Sequence, residues 1–244
     1  MKQILCEPTI IPPLRVNDQT YSSDIEKCNA LAGYFESTFL PNQSTDQHFT
    51  KQVEGTLYAP KISVEKSIEF VSVNEIKGII KRLPNKKAPG YDMIPNIALK
   101  QLTRKSLAYL ASLFNAILFT GYFPAAWKFS KVIAIQKPSK PKSSLSSYRP
   151  ISLLSTLSKL LEKVIHKRIQ NFISDTSAIP PHQFGFKTHH STNHQLLRIT
   201  EHIYNGFEAR EHTAAAFLDI TQAFDRVWHQ GLLYKLSKMG FPIY

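Results

Sequence analysis

An apolar run that ends in a carboxylate restricts how this chain can fold more than any other feature. Thr213-Ala-Ala-Ala-Phe-Leu-Asp-Ile220 has the composition of a buried strand, and Asp219 sits near its far end. A buried carboxylate is costly unless it is paired or bound to a cation. A lone strand also needs neighbours to take up its backbone hydrogen bonds. Other strand-like stretches are few and scattered, so this one is expected to need partners that the sequence supplies poorly. Two readings of Asp219 stay open on these residues. It either caps the helix that follows or, exposed in a cleft, ligates a hard divalent ion such as Mg²⁺. Asp225 falls just past a turn and inside the next helix, where a solvated carboxylate is the plainer reading.

Most of the remaining sequence has helical periodicity. Apolar residues at Ile25, Cys28, Ala32, Phe35 and Phe39 predict a helix over 24–39 with Cys28 on its core face. Ser72-Val-Asn-Glu75 has capping-box spacing and opens a short helix that ends near Pro84. A strong amphipathic helix is expected over 103–119, stopped by Gly121 and Pro124. Residues 151–173 read mostly as one helix, 191–207 as another, and 224–236 as the last. Lys131-Val-Ile-Ala-Ile-Gln-Lys137 is a short strand ending in a basic loop, 138–147. The first twenty residues, with three prolines, read as a linker, and 41–60 carries little pattern. The class is therefore α/β (α+β) and helix-rich.

Charge points to the kind of partner. The formal net charge is +12, and residues 81–150 hold 13 Lys or Arg against the single acid Asp92, so the whole excess lies there. Tyr91, Trp127, Phe129 and Tyr148 are interleaved with these cations. That is the pattern of a surface that follows phosphates and packs on bases, although a solvated charged face would look similar. Two cysteines exclude a disulfide framework and a four-thiolate zinc site. The histidines lack zinc-ligand spacing. No apolar stretch is long enough to span a bilayer or serve as a secretory signal, so an intracellular protein, nuclear or cytoplasmic and away from membrane, is expected.

Five segments, in order, resemble the reverse transcriptases of non-LTR retrotransposons. They are Lys87-Ala-Pro-Gly-Tyr-Asp92 with Ile94-Pro95; Trp127 to Pro138; and Ser147-Tyr-Arg-Pro-Ile-Ser-Leu-Leu154 with Ser158-Lys-Leu-Leu-Glu-Lys163. The last two are Gln183-Phe-Gly-Phe-Lys187 with Ser191-Thr192, and Phe217-Leu-Asp-Ile-Thr-Gln-Ala-Phe-Asp225 running into Val227-Trp228-His229. The resemblance covers about residues 81–238.

It implies a right-hand polymerase fold, incomplete at the C-terminus. Residues 1–60 would be a linker with an N-terminal helical segment, 61–190 a fingers-like region with basic template-side loops, and 191–244 the start of a palm. It implies template-directed nucleotidyl transfer from deoxynucleoside triphosphates, on an RNA template with a DNA primer, by a two-metal mechanism. Asp219 would be a metal-binding catalytic aspartate and the Ile220 carbonyl a further Mg²⁺ ligand. Phe224 would crowd the sugar 2′-hydroxyl. Lys137 and Arg149 would meet the incoming triphosphate, Arg149 through its planar fork. Lys86, Lys87, Gly90 and Lys187 would lie along the template, with Lys187 standing where the family pattern has Arg. The sequence stops shortly after the first palm motif, without a Tyr-x-Asp-Asp run. This chain by itself is therefore expected to be inactive and to hold Mg²⁺ weakly. The rival expectation is a non-catalytic nucleic-acid-binding remnant of a transposable element.

Overall fold

The computed structural model describes residues 11–16, 19–41, 46–58, 69–176 and 179–241. Their architecture is mixed α/β and rich in helix, with two small antiparallel sheets. In chain order the elements are β1 (Leu14–Val16), β2 (Gln19–Tyr21), α1 (Asp24–Thr38), α2 (Gln47–Tyr58) and α3 (Val73–Arg82). Then follow α4 (Asn96–Leu99), α5 (Arg104–Thr120), α6 (Ala125–Lys128), β3 (Ser130–Gln136), β4 (Tyr148–Leu154), α7 (Thr156–Thr176), α8 (Thr192–Glu208) and α9 (His229–Lys238). The chain divides into two compact units, Met1–Lys167 with Phe224–Tyr244, and Arg168–Ala223.

The first unit is organised around α5. Its N-cap is Thr103, whose hydroxyl accepts from the Ser106 N–H, and it ends at Gly121 in the left-handed region at φ 64°. Phe114 is fully buried at its centre, packed with Ile76 and Ile80 of α3 and Leu160, Leu161 and Val164 of α7. Trp127 closes one side of this core, edge-on to Phe114 at 6.0 Å. Asn115 binds the segment before α3: its amide donates to the Val71 carbonyl and its carbonyl accepts from the Val71 N–H. That paired bond satisfies two backbone groups that would otherwise be stranded at the core edge.

A second, smaller core joins Leu14 of β1, Leu31 and Phe35 of α1, and Tyr148 of β4. Ser23 and Glu26 form the complete capping box of α1. The Ser23 N–H and hydroxyl and the Ser22 N–H all favour the ionised Glu26 and hold its carboxyl below the ordinary range. Burial raises the Tyr148 phenol, which donates to the Lys142 carbonyl at 2.7 Å.

Several sequence expectations change here. The proline-rich start holds the β1–β2 hairpin within 11–21, because prolines that break helices are tolerated beside edge strands. Residues 47–58 form α2, whose aromatic partners lie far along the chain. Phe49 meets Trp228 at 6.1 Å and Tyr234 at 5.9 Å, both edge-on. The core face of α1 is Lys27, Leu31, Phe35 and Thr38, whereas Cys28 is exposed. Lys27 can occupy that face because its stem is apolar while its ammonium donates to the Ile11 carbonyl and Asp24. Residues 151–154, read as helix, complete β4, since Tyr148–Leu154 pair along the whole of β3. The last helix begins at His229, and 221–226 is a turn that contains both Phe224 and Asp225.

Candidate nucleic-acid interface

The first unit holds its basic loop in a tight frame. In residues 85–95 the Met93 N–H donates to the Gly90 carbonyl and the Ile94 N–H to the Asp92 carboxylate. Outside partners close the loop. Asn96 donates to the Pro84 carbonyl at 2.8 Å, Lys100 to the Asn85 side chain at 2.6 Å and Thr156 to the Ile94 carbonyl. Tyr91 donates its hydroxyl to the Ala126 carbonyl at 2.7 Å. Gly90 is buried against the junction of β4 and α7, where an added Cβ would stand 2.5 Å from the Leu154 carbonyl oxygen. Glycine is needed there to let two backbones touch, so what Gly90 contributes is the seating of the loop. Lys86 and Lys87 are exposed on that seated loop.

The β3–β4 hairpin, paired from Ser130↔Leu154 to Gln136↔Tyr148, has two unlike faces. Tyr148 and Ala134 point to the Leu14–Phe35 core. Alternation places Arg149, Ile151 and Leu153 on the other face, beside Ile135, Ile133 and Lys131. Ile133, Ile135 and Ile151 are 39–44% exposed, and Arg149 is exposed at the end of their row. Lys137, just beyond β3, is half-buried and donates its ammonium to the Ser146 carbonyl at 2.7 Å. Of the four aromatic residues expected to meet bases, only Tyr91 and Phe129 are exposed, and they pack edge-on at 6.4 Å. Tyr148 is buried and Trp127 lies against the main core, a correction that follows from their ring area.

The second unit carries the carboxylate. Residues 211–220 have no regular secondary structure and pair with no strand among the described residues, which corrects the expected buried strand at 213–220. Asp219 is exposed, and so are Phe217, Leu218 and Ile220. The Glu211 N–H donates to the Gly206 carbonyl at 2.8 Å, and a segment outside helix and sheet closes no regular ladder of its own. A groove of about 840 Å³ runs between α8 and 211–217, with Arg198, His202 and Phe207 on its walls. Lys187 is half-buried in the turns before α8, where Phe184 lies between His190 (4.7 Å between centroids) and Arg198 (4.9 Å). Phe224 and Asp225 belong to the first unit, Phe224 being 77% exposed and Asp225 half-buried.

Hard oxygen donors such as the Asp219 carboxylate and the Ile220 carbonyl are of the type that Mg²⁺ takes. One carboxylate does not make a site, however, and among the described residues no three His, Cys, Asp or Glu side chains come together. These donors do not by themselves fit the ion. No described helix is long and apolar enough to cross a membrane.

Sequence reasoning missed three devices that set this geometry: the Asn115 clamp, the Tyr91–Ala126 bond and the α2–α9 aromatic contact. A polar residue inside an apolar helix was the available signal for Asn115. The other two join residues 35 and more positions apart and leave no local mark.

Comparison with known proteins gives the class that this sequence resembles. Residues 135–244 match the family described as reverse transcriptase (RNA-dependent DNA polymerase). The chain is thus a relative of the RNA-directed DNA polymerases of non-LTR retroelements. It is 42% identical over 219 residues to a probable RNA-directed DNA polymerase from transposon BS of Drosophila melanogaster, covering 89% of this chain and 24% of that protein. It is 40% identical to the RNA-directed DNA polymerase from mobile element jockey of the same fly, over 90% of this chain and 24% of the relative. A probable polymerase from transposon X-element is 36% identical over 88% of this chain, again 24% of the relative. The chain therefore spans about a quarter of the length of these curated relatives.

Proposed function

We propose that this chain forms the fingers and the opening segment of the palm of an RNA-directed DNA polymerase of a non-LTR retroelement. In the whole protein its work would be template-directed transfer of deoxynucleotides to a DNA primer on RNA. The observation that carries this reading is the seating of loop 85–95 on the β4–α7 junction, which fixes Lys86 and Lys87 on the same unit as Lys137 and Arg149. Phosphate contacts position a polynucleotide without reading its sequence, and a rigid cationic frame suits that role. Arg149 would pair two oxygens of the incoming triphosphate with its fork, and Lys137 would add a point charge. Lys187 would meet the template. Asp219 would contribute the first carboxylate of the catalytic centre, with Ile220 beside it and Phe224 selecting against a 2′-hydroxyl. The strands that pair with 213–220 would come from sequence that the longer relatives possess outside the matched stretch.

The rival reading, nucleic-acid binding without catalysis, draws on 211–220 having no paired strand among the described residues. One experiment separates the two. The chain is titrated onto an RNA–DNA hybrid at rising salt, and then supplied with primed RNA, deoxynucleotides and Mg²⁺. We expect binding that falls steeply with salt, and a salt slope reduced by about 2 on replacing Lys86 and Lys87 together with Ala. Primer extension is expected only when the sequence is joined to the remainder of a polymerase, and is then lost in Asp219→Asn. Absence of hybrid binding at low salt would sink both readings. Extension that survives Asp219→Asn would sink the polymerase assignment of that residue.

A further inference from the structure

The first unit bears an apolar groove that the polymerase reading does not use. It lies between α4 and α5, holds about 390 Å³, and is lined chiefly by Ile94, Leu99, Leu102, Tyr109, Leu113 and Leu157. Tyr109 is 67% and Leu113 43% exposed, although both sit on the helix that supplies the main core. A second depression of about 320 Å³ shares Leu99 and Leu102 with it and is walled by Lys77, Lys81 and Lys100. The two form one trough with a hydrocarbon floor and a cationic side.

The charge on that side is not neutralised from within. Lys77 and Lys81 are exposed one turn apart on α3, and Lys100 donates only to the neutral Asn85 amide. None of the three pairs with a carboxylate among the described residues. Nearby Glu75 is taken by Lys167 at 3.3 Å, and Asp92 accepts from the Ile94 backbone N–H at 3.3 Å. A polynucleotide would satisfy the lysines and waste the floor, since bases stack on rings and Tyr109 is the single ring there. A second copy of this chain would bring its own excess of positive charge. An amphipathic helix with one apolar face and acidic flanks matches floor and wall together.

We propose that this trough is a docking surface for an acidic amphipathic helix of a partner protein. The inference is independent of the polymerase reading, because none of the trough's lining residues is a candidate site residue of that reading. The test uses a fluorescein-labelled helical peptide of about four turns, with Leu at i, i+3, i+4 and i+7 and Glu on either side. Titrated with the intact chain, it should show saturable anisotropy, and a twin with Lys for every Glu should bind at least about tenfold more weakly. Leu113→Glu should weaken the acidic peptide about tenfold. Lys77→Glu with Lys81→Glu should invert the preference toward the basic twin. Far-UV circular dichroism checks folding, and Tyr109→Glu, at a more exposed side chain, replaces Leu113→Glu if that variant unfolds. Three results would each overturn the proposal. They are equal affinity for the two peptides, binding indifferent to both groove substitutions, and self-association of the chain that Leu113→Glu abolishes. Displacement of the peptide by single-stranded RNA, with RNA binding lost in Lys77→Glu/Lys81→Glu, would assign the trough to nucleic acid instead.

Discussion

Phe114 and Leu218 both lie in strongly apolar stretches, yet Phe114 is fully buried and Leu218 is 94% exposed. The difference lies in where each segment finds its hydrogen bonds. α5 closes its own backbone bonds and needs only neighbours for its apolar face, which α3 and α7 supply within the same unit. A segment outside helix closes no such ladder by itself, and 211–220 has no paired strand among the described residues. Apolar composition therefore predicts burial only where the backbone can also be satisfied. The cationic loop closes its contacts within the first unit, whereas the carboxylate segment finds no strand among the described residues.

The largest test of that contrast is hydrogen exchange. Amides in the middle of α5 should exchange orders of magnitude more slowly than those of 213–220, because core helices open only near the global unfolding free energy. Comparable rates would erase the distinction. Side-chain truncation follows in size. Phe114→Ala should cost about 3–5 kcal/mol in denaturant melts, as expected for a fully buried ring. Leu218→Ala, by contrast, should stay within about 0.5 kcal/mol.

Gly90→Ala sharpens the comparison inside the first unit. The new methyl meets the backbone of Leu154 and Ser155 rather than a yielding side chain, so the loop must lift. We expect a loss of about 1–3 kcal/mol together with weaker hybrid binding, because the Lys86–Lys87 segment is displaced. Undiminished binding would show that the seating is dispensable. The smallest effect is at Glu162 on α7, whose carboxyl is raised by partial burial against the pull of Lys159. A raised folded-state value favours folding at low pH, and the benefit disappears as pH rises through it. Glu162→Gln should therefore raise Tm slightly at about pH 7, with the gap closing below about pH 4. The much exposed side chain keeps this effect small.

Legibility followed the range of the interactions. The Ser72 cap, the Gly121 stop and the span of α5 were readable because capping and periodicity are local. Cys28 was misplaced because Lys27 covers the core with its stem, an arrangement that depends on the Ile11 carbonyl coming within reach. The helix at 47–58 was invisible since its fixing contacts lie at Trp228 and Tyr234. Among the candidate site residues, the exposure of Lys86, Lys87 and Arg149 followed from charge. The burial of Gly90 did not.

The order of the five segments, the concentration of cations in 81–150 and the lone acid closing an apolar run were fixed by the sequence itself, because each is a property of neighbours along the chain. Which cations stand free, which rings are spent on the core, and whether the run at 213–220 is paired or open were decided by tertiary structure. Those outcomes depend on groups that meet across long separations, where desolvation and hydrogen-bond satisfaction act on the assembled molecule.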